Sequence, residues 1–308
     1  DFAKARQCLE EGLALARQHD DGVSRATALA HLGWIALSLG DYAEARAQLE
    51  KSLVLARQVD DQGRIAHALV GLGYVNYSLG ACAKARDYFD ESLTFYQALG
   101  DRRGIVFALN GLGNVALILA EYKEAQARYT ENLALCRELG DRMGVAVALI
   151  TLGETARKQE DYATAQYRYQ EALSTNKEIG YRLGVAITLN NLGHMAVTQG
   201  DYTAAASHYR EAIQIAMDIG VIPVALDCLA GLAGVLAARS GQAERALELL
   251  GLALHHQALD SDAKLTIEPI LADLRAKLPP DVVEAALERG QSLELEAVAA
   301  EILREATA

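Results

Sequence analysis

Proline is almost missing from this chain: four occur in 308 residues, and none precedes Pro223. Nothing therefore breaks a helical pattern over the first two thirds. Aromatic residues make up only 6 %, while an apolar fraction of 51 % is dominated by alanine, as closely packed helices require. No apolar run approaches the roughly 18 residues of a membrane-spanning helix, and the first residues show no signal-peptide pattern. The four cysteines, Cys8, Cys82, Cys136 and Cys228, are too scattered for a disulfide framework and point to a reducing, cytoplasmic setting. Positive charge is in deficit. With 29 Lys and Arg against 41 Asp and Glu, the net charge is −12 and the pI near 5.1, which argues against direct nucleic-acid or anionic-membrane partners.

What is present is a repeat. The stretch Ala146 to Leu173, AVALITLGETARKQEDYATAQYRYQEAL, recurs at a step of 40 residues, at Val106 to Leu133, Ala66 to Leu93 and Ala186 to Ile213. Leu32, Leu72, Leu112, Leu152, Leu192 and Leu232 form a ladder, flanked by Gly33, Gly73, Gly113, Gly153 and Gly193. Ala45, Ala85, Ala125, Ala165 and Ala205 form another. A fixed period in this range marks a solenoid of stacked units.

One copy, Gln62 to Gln97, shows the local structure. Ile65, Leu69, Leu72 and Val75 make one helical stripe. Leu79-Gly80 is a helix end with glycine in the left-handed cap position. Ala85, Tyr88, Phe89, Leu93 and Tyr96 define a second helix that ends at Leu99-Gly100. Asp41, Asp101, Asp161 and Asp201 are placed to cap the helices that follow them. Short turns force the two helices into an antiparallel hairpin. A glycine inside a helix costs about 1 kcal/mol relative to alanine, so its return every 40 residues implies close approach of the partner helix, with the Ala85 column as the facing small residues. Tyr42, Tyr122, Tyr162 and Tyr202 are expected to plug the seams between copies.

Leu152-Gly153, Asp161-Tyr162, Ala165, Tyr169 and Ala172-Leu173 resemble the tetratricopeptide repeat signature at its usual offsets. The extra residues around Gly100 to Gly104 and Gly140 to Gly144 make this the longer, 40-residue form. That form is similar to the repeats of polarity adaptors and kinesin light chains. It also resembles the C-terminal arrays of bacterial signal-transduction ATPases and maltose-regulator-like transcription activators. The resemblance covers roughly the first 257 residues and implies an all-α, right-handed superhelical solenoid of antiparallel helix hairpins with a C-terminal helical cap.

Asp1 to Arg6 aligns with Asp41 to Arg46 one period on, so the chain opens at the second helix of a repeat. We expect a fragment of a longer protein, with an upstream domain of the same polypeptide. The expected divisions are residues 1–19 for that truncated repeat, 20–220 for five full repeats, 221–257 for a divergent sixth and 258–308 for the cap. In the sixth copy Pro223 starts the first helix, Ala233 replaces the ladder glycine, and an extra residue at Ser240-Gly241 shifts Ala246. Three helices are expected beyond it: Leu265 to Leu278, Asp281 to Arg289 and Leu293 to Glu305, punctuated by Pro279-Pro280 and Gly290. The tail from Glu284 to Leu303 also resembles the segment that closes the array in bacterial regulator ATPases.

In tetratricopeptide arrays the first helix of each hairpin lines a concave groove. Carried onto this chain, the columns beside the Leu-Gly ladder run from aromatic (Trp34, Tyr74, Tyr77) through amide (Asn110, Asn114) to ionisable (Glu154, Arg157, Asn190, His194). A four-residue step keeps such pairs on one helix face. Polar groups on an otherwise apolar stripe have no evident core role, so these nine residues are the candidate binding set. Asn-rich centres suit peptide backbone, since each amide donates and accepts. A carboxylate clamp is disfavoured, because the columns contain no Lys and only Arg157 as a cation.

Glu154 and His194 would be the starting point for catalysis, yet no Ser or Cys nucleophile and no glycine-rich phosphate loop accompany them. Catalytic residues, metal ligands and cofactors are therefore not expected; His255-His256 has no companion at ligand spacing. Glu11, Glu91, Glu131, Glu171 and Glu211, with Lys51 as the exception, read as a solvated outer face. The expected function is a non-catalytic module of a cytoplasmic signalling or transcription-regulatory protein. It would bind a protein or peptide segment, or a small effector, along the groove. The alternatives are a structural or oligomerisation scaffold and a free-standing adaptor.

Overall fold

The helix boundaries recur at the 40-residue step read from the sequence. In the computed structural model, which describes residues 2–239, 241–259 and 261–305, the described residues form sixteen α-helices and no strand. Contacts divide the chain into two compact units, 1–141 and 142–308. In the first, α1 (Phe2–Gln18) precedes the hairpins α2 (Gly22–Ser38) with α3 (Tyr42–Gln58), α4 (Gln62–Ser78) with α5 (Cys82–Leu99), and α6 (Arg102–Ile118) with α7 (Tyr122–Leu139). The second holds α8 (Arg142–Lys158) with α9 (Tyr162–Glu178), α10 (Arg182–Thr198) with α11 (Tyr202–Ile219), and α12 (Ile222–Ala237) with α13 (Ala243–His255). It ends in α14 (Ser261–Lys277), α15 (Pro280–Gln291) and α16 (Leu295–Glu305). Asp1 and Ser240, which carry part of the sequence reading of the truncated opening helix and of the shifted sixth copy, lie outside the described residues.

Helix ends follow the local chemistry read from the sequence. Asp41, Asp161 and Asp201 accept from the backbone N–H three residues on, at 2.9–3.1 Å, and Asp101 accepts from both Arg103 and Gly104. Each cap is worth about 1 kcal/mol. At the other end the chain turns through a left-handed residue. Glycine holds that place at Gly80 (φ 73°) and Gly100 (φ 67°), but Asp20, Asp60, Ala120 and Glu160 adopt it too, at φ 51–62°. The turn is needed because the next N–H must reach back to the last free carbonyls, as Glu121 N does to Ala116 O at 2.8 Å.

The glycine ladder answers to a ring. A Cβ on Gly73 would stand 2.6 Å from the Phe89 side chain, one on Gly153 2.6 Å from Tyr169, and one on Gly193 2.5 Å from Tyr209. Phe89 is also pressed by Gly111 of the next hairpin, and Tyr209 by Gly231. One side chain thus fills both the hairpin interior and the seam to its neighbour. Leu49 does this in the first copy, between Gly33 and Gly71. Two expectations are corrected here. The glycines make room first for the Leu49, Phe89, Tyr129, Tyr169 and Tyr209 column rather than for Ala85 and its equivalents, although those alanines are fully buried and Ala45 O also stands 3.2 Å from a Cβ on Gly33. The seam plug is that same column, because Tyr42, Tyr122 and Tyr162 are only half-buried and Tyr202 is exposed.

Beyond α13 the pattern changes. α14 lies on α12, α15 on α13, and α16 on α11. α14 begins at Ser261 rather than at Leu265, and it carries Pro269 internally. Gly290, expected as a break, sits inside α15. A Cβ there would strike Glu248 O on α13, and one on Gly251 would strike Leu287 O on α15. These two glycines let the backbones of α13 and α15 touch.

Candidate functional site

In the first unit the candidate residues lie on α2, α4 and α6. Trp34 faces Tyr74 with ring centroids 5.7 Å apart and His67 at 5.8 Å, while His31 stacks edge-on to His67 at 5.7 Å. Tyr74 meets the Phe89 ring at 5.0 Å. Its hydroxyl receives a hydrogen bond from Asn110 Nδ2 at 3.1 Å and lies 3.4 Å from Phe107 O. Burial raises the Tyr74 phenol to about 12, against the opposing pull of the Asn110 bond. Trp34 Nε1 is buried without a hydrogen-bond partner among the described residues. Tyr77 packs half-buried against the cluster containing Phe89 and Leu112. Beside these groups Phe107 is 58 % exposed, an aromatic ring left in solvent on the first-helix side. Asn114 instead turns to α7 and accepts from Tyr129 OH at 2.6 Å.

In the second unit Glu154 and Arg157 pair on α8 through two hydrogen bonds of 2.6 and 2.8 Å, and Tyr169 OH donates to Glu154 at 3.1 Å. On α10, His194 Nδ1 lies 2.9 Å from Tyr209 OH. Asn190 Nδ2 donates to Asp227 on α12 at 2.6 Å, and Thr266 on α14 donates to the other oxygen at 2.6 Å. His194 Nε2 stands 4.0 Å from Asp227. Burial pushes the Asp227 carboxyl up, but His194 and the Thr266 and Asn190 bonds outweigh it and hold the group below the usual carboxylate range. The sequence reading missed Asp227. It is the lone charged residue on α12, IPVALDCLAGLAGVLA, and that isolation was a readable signal.

The polar residues beside the ladder therefore do have a core role, contrary to expectation. Asn114, Glu154 and His194 stand at one repeat position and each engages the hydroxyl of a buried tyrosine fifteen residues on, Tyr129, Tyr169 or Tyr209. A buried phenol needs such a partner. The first copies hold Leu49 and Phe89 at the tyrosine position, and there the column is free to be Trp34 and Tyr74.

Other groups offer little chemistry. No hydrogen bond or ion pair joins Glu154 to His194, and among the described residues no group of three or more His, Cys, Asp or Glu could hold a metal. Cys136 and Cys228 are buried, and burial raises the Cys136 thiol to about 11, far from a reactive thiolate. The glutamate column is solvated but bridged, with Arg57 on Glu91 at 3.0 Å and Lys177 on Glu211 at 3.2 Å. No helix among the described residues is long and apolar enough to cross a membrane.

A tetratricopeptide repeat family model matches residues 1–58, 35–98 and 104–178, and a second such model matches 150–218. Comparison with curated proteins finds no match. Among similar solved structures, BtubC from P. vanneervenii aligns with TM-score 0.60 at 20 % identity, covering 71 % of this chain and 91 % of that one. A signal-transduction ATPase with numerous domains and a tetratricopeptide repeat sensor, from Pyrococcus horikoshii, aligns with TM-score 0.66 at 17 % identity. It covers 91 % of this chain, which spans 44 % of that protein. The Rap conjugation gene regulator of plasmid pLS20, solved with the Phr* peptide, aligns with TM-score 0.66 at 14 % identity over 95 % of this chain and 78 % of that one. At such identities the likeness is one of fold.

Proposed function

Because this chain belongs to the tetratricopeptide repeat family, a family of protein-interaction modules, we propose that it binds a protein or peptide segment on the first-helix face and performs no chemistry of its own. The observation that carries this reading is the aromatic and amide surface of the first unit. Trp34, Tyr74 and Asn110 form its base, and Phe107, at 58 % exposed, is a large ring left mostly in solvent. Exposed aromatics on a rigid surface are the usual anchors of protein interfaces. Within the second unit taken by itself, Asn190, His194 and Asp227 form a polar group, beside the Glu154–Arg157 pair. The Rap regulator bound to its Phr* peptide supports a peptide as the occupant, and a small effector is the narrower variant.

We further propose that the divisions at 19, 220 and 257 are the functional ones and that the array senses its partner for an upstream domain. The Pyrococcus sensor protein supports this. Such a module acts only if the partner binds two states with different affinity. Dispersed free cysteines support a cytoplasmic setting. The test is affinity capture from source-cell extract with the wild type beside Phe107→Ser combined with His31→Ser. Both positions are exposed, so the fold survives, and circular dichroism verifies it. A partner lost by the variant supports the first-helix face; identical captures, or self-association alone, would favour a scaffold.

A further inference from the structure

On the face of α10 opposite Asn190 and His194, a cavity of about 250 Å³ opens between α9 and α11. Leu173, Leu192 and Met195 make its floor, and Gln170, Gln199 and His208 stand at its rim. Periodicity explains the space. The position of His208 is held by Gln48, Tyr88, Arg128 and Arg168 in earlier copies. At α5, Tyr88 packs half-buried on the cluster containing Leu53, Leu72 and Val75, which are the counterparts of Leu173, Leu192 and Met195. There the chain supplies its own phenol ring to the seam. Over α10 an imidazole stands instead, and the ring's place is empty. The seam among α1, α2 and α3, where Gln48 holds the position, is open as well, at about 240 Å³, but Arg6, Glu10, Arg17, Glu44 and Lys51 make it charged.

We propose that the cavity between α9 and α11 is a seat for a tyrosine side chain of a protein partner, with the ring on Leu173, Leu192 and Met195 and the hydroxyl among Gln170, Gln199 and His208. The shape argument is the Tyr88 seam, which shows what this floor accepts. The rim supplies neutral polar groups. The side chains of Gln170 and His208 make no hydrogen bond among the described residues, and Gln199 reaches Gln166 only at 3.4 Å. Burial lowers the His208 imidazole below its ordinary value, so the ring is neutral near pH 7 and can accept or donate. The one charged group at the rim, Asp201, is turned to the N-terminus of α11, where it accepts from Ala204 N at 2.9 Å. This seat is independent of the first-helix face and stands whether or not that face binds.

The full chain labelled with methyl-¹³C methionine tests it, because Met195 is 2 % exposed on the cavity floor and Met143, 48 % exposed elsewhere, is an internal control. N-acetyl-tyrosine amide should move the Met195 methyl resonance saturably, by ring current, and leave Met143 in place. His208→Tyr fills the seat from within, as Tyr88 does, and should weaken that response roughly tenfold or more. Gln170→Trp, a change at an exposed rim position, blocks the mouth without touching the core and should act alike if His208→Tyr fails to fold. An unmoved Met195 resonance overturns the proposal, as does an equal shift with N-acetyl-leucine amide or an undiminished shift in a folded blocked variant. Response to p-cresol but not to N-acetyl-tyrosine amide overturns the protein source and points to a free phenol.

Discussion

At the scale of single residues, the chain is held by a ring column and the glycines that receive it. Backbone strain marks where it is imperfect. Ala120 holds a left-handed turn at φ 57°, where a Cβ costs about 1–2 kcal/mol. Ala120→Gly is expected to raise stability by about 1 kcal/mol in urea unfolding, the strain relieved exceeding the extra freedom of the unfolded chain. The reverse holds at Gly290, where any Cβ meets the Glu248 carbonyl. A backbone cannot swing aside as a side chain can, so Gly290→Ala should destabilise by about 1–3 kcal/mol. The tyrosine hydroxyls order themselves by the charge of their partner. Tyr169 bonds a carboxylate and Tyr129 an amide. Loss of the hydroxyl in Tyr169→Phe should therefore cost about 1.5–3 kcal/mol, against about 1 kcal/mol for Tyr129→Phe, measured by the same unfolding experiment.

At the scale of elements, α14 is the least regular piece, and Asp227 ties it down. Thr266 binds this carboxylate across the α12–α14 contact. The Asp227 carboxyl titrates below the usual range in the folded chain. A depressed folded pKa contributes stability that is fully present above the unfolded value near 3.9 and is lost as pH falls through the folded value. Hydrogen exchange in α14 should therefore be slower in the wild type than in Asp227→Asn at pH 7. After correction for intrinsic rates, the difference should shrink as pH falls through the depressed folded pKa of Asp227. Equal protection at neutral pH would show that α14 is held by Ile267 and Leu274 alone, both of which are buried.

At the scale of the molecule, each hairpin is stable only against its neighbours. Phe89 makes this concrete, since Gly73 of its own hairpin and Gly111 of the next both close on it. Phe89→Ala should cost about 3–5 kcal/mol. Exchange protection should fall together in α4, α5 and α6, while the α13–α15 contact keeps its own.

The repeat alone determined the family, the helix boundaries and the capping aspartates, because these depend on local chemistry recurring every 40 residues. Gly80, Asp101 and Leu72 could be placed from their neighbours in sequence. The ring column could not. Phe89 and Gly111 are in different hairpins, and their contact exists only once two copies stack. The same limit applied to the candidate site. Asn114, Glu154 and His194 stood out as polar residues on an apolar stripe, but their partners Tyr129, Tyr169 and Tyr209 come from the facing helix. Asp227 acquires Thr266 only where α14 departs from the repeat. Period encodes what a residue does within its own helix, whereas packing decides which face remains for a partner. That is why Phe107 and the cavity beside His208 emerged from tertiary structure alone.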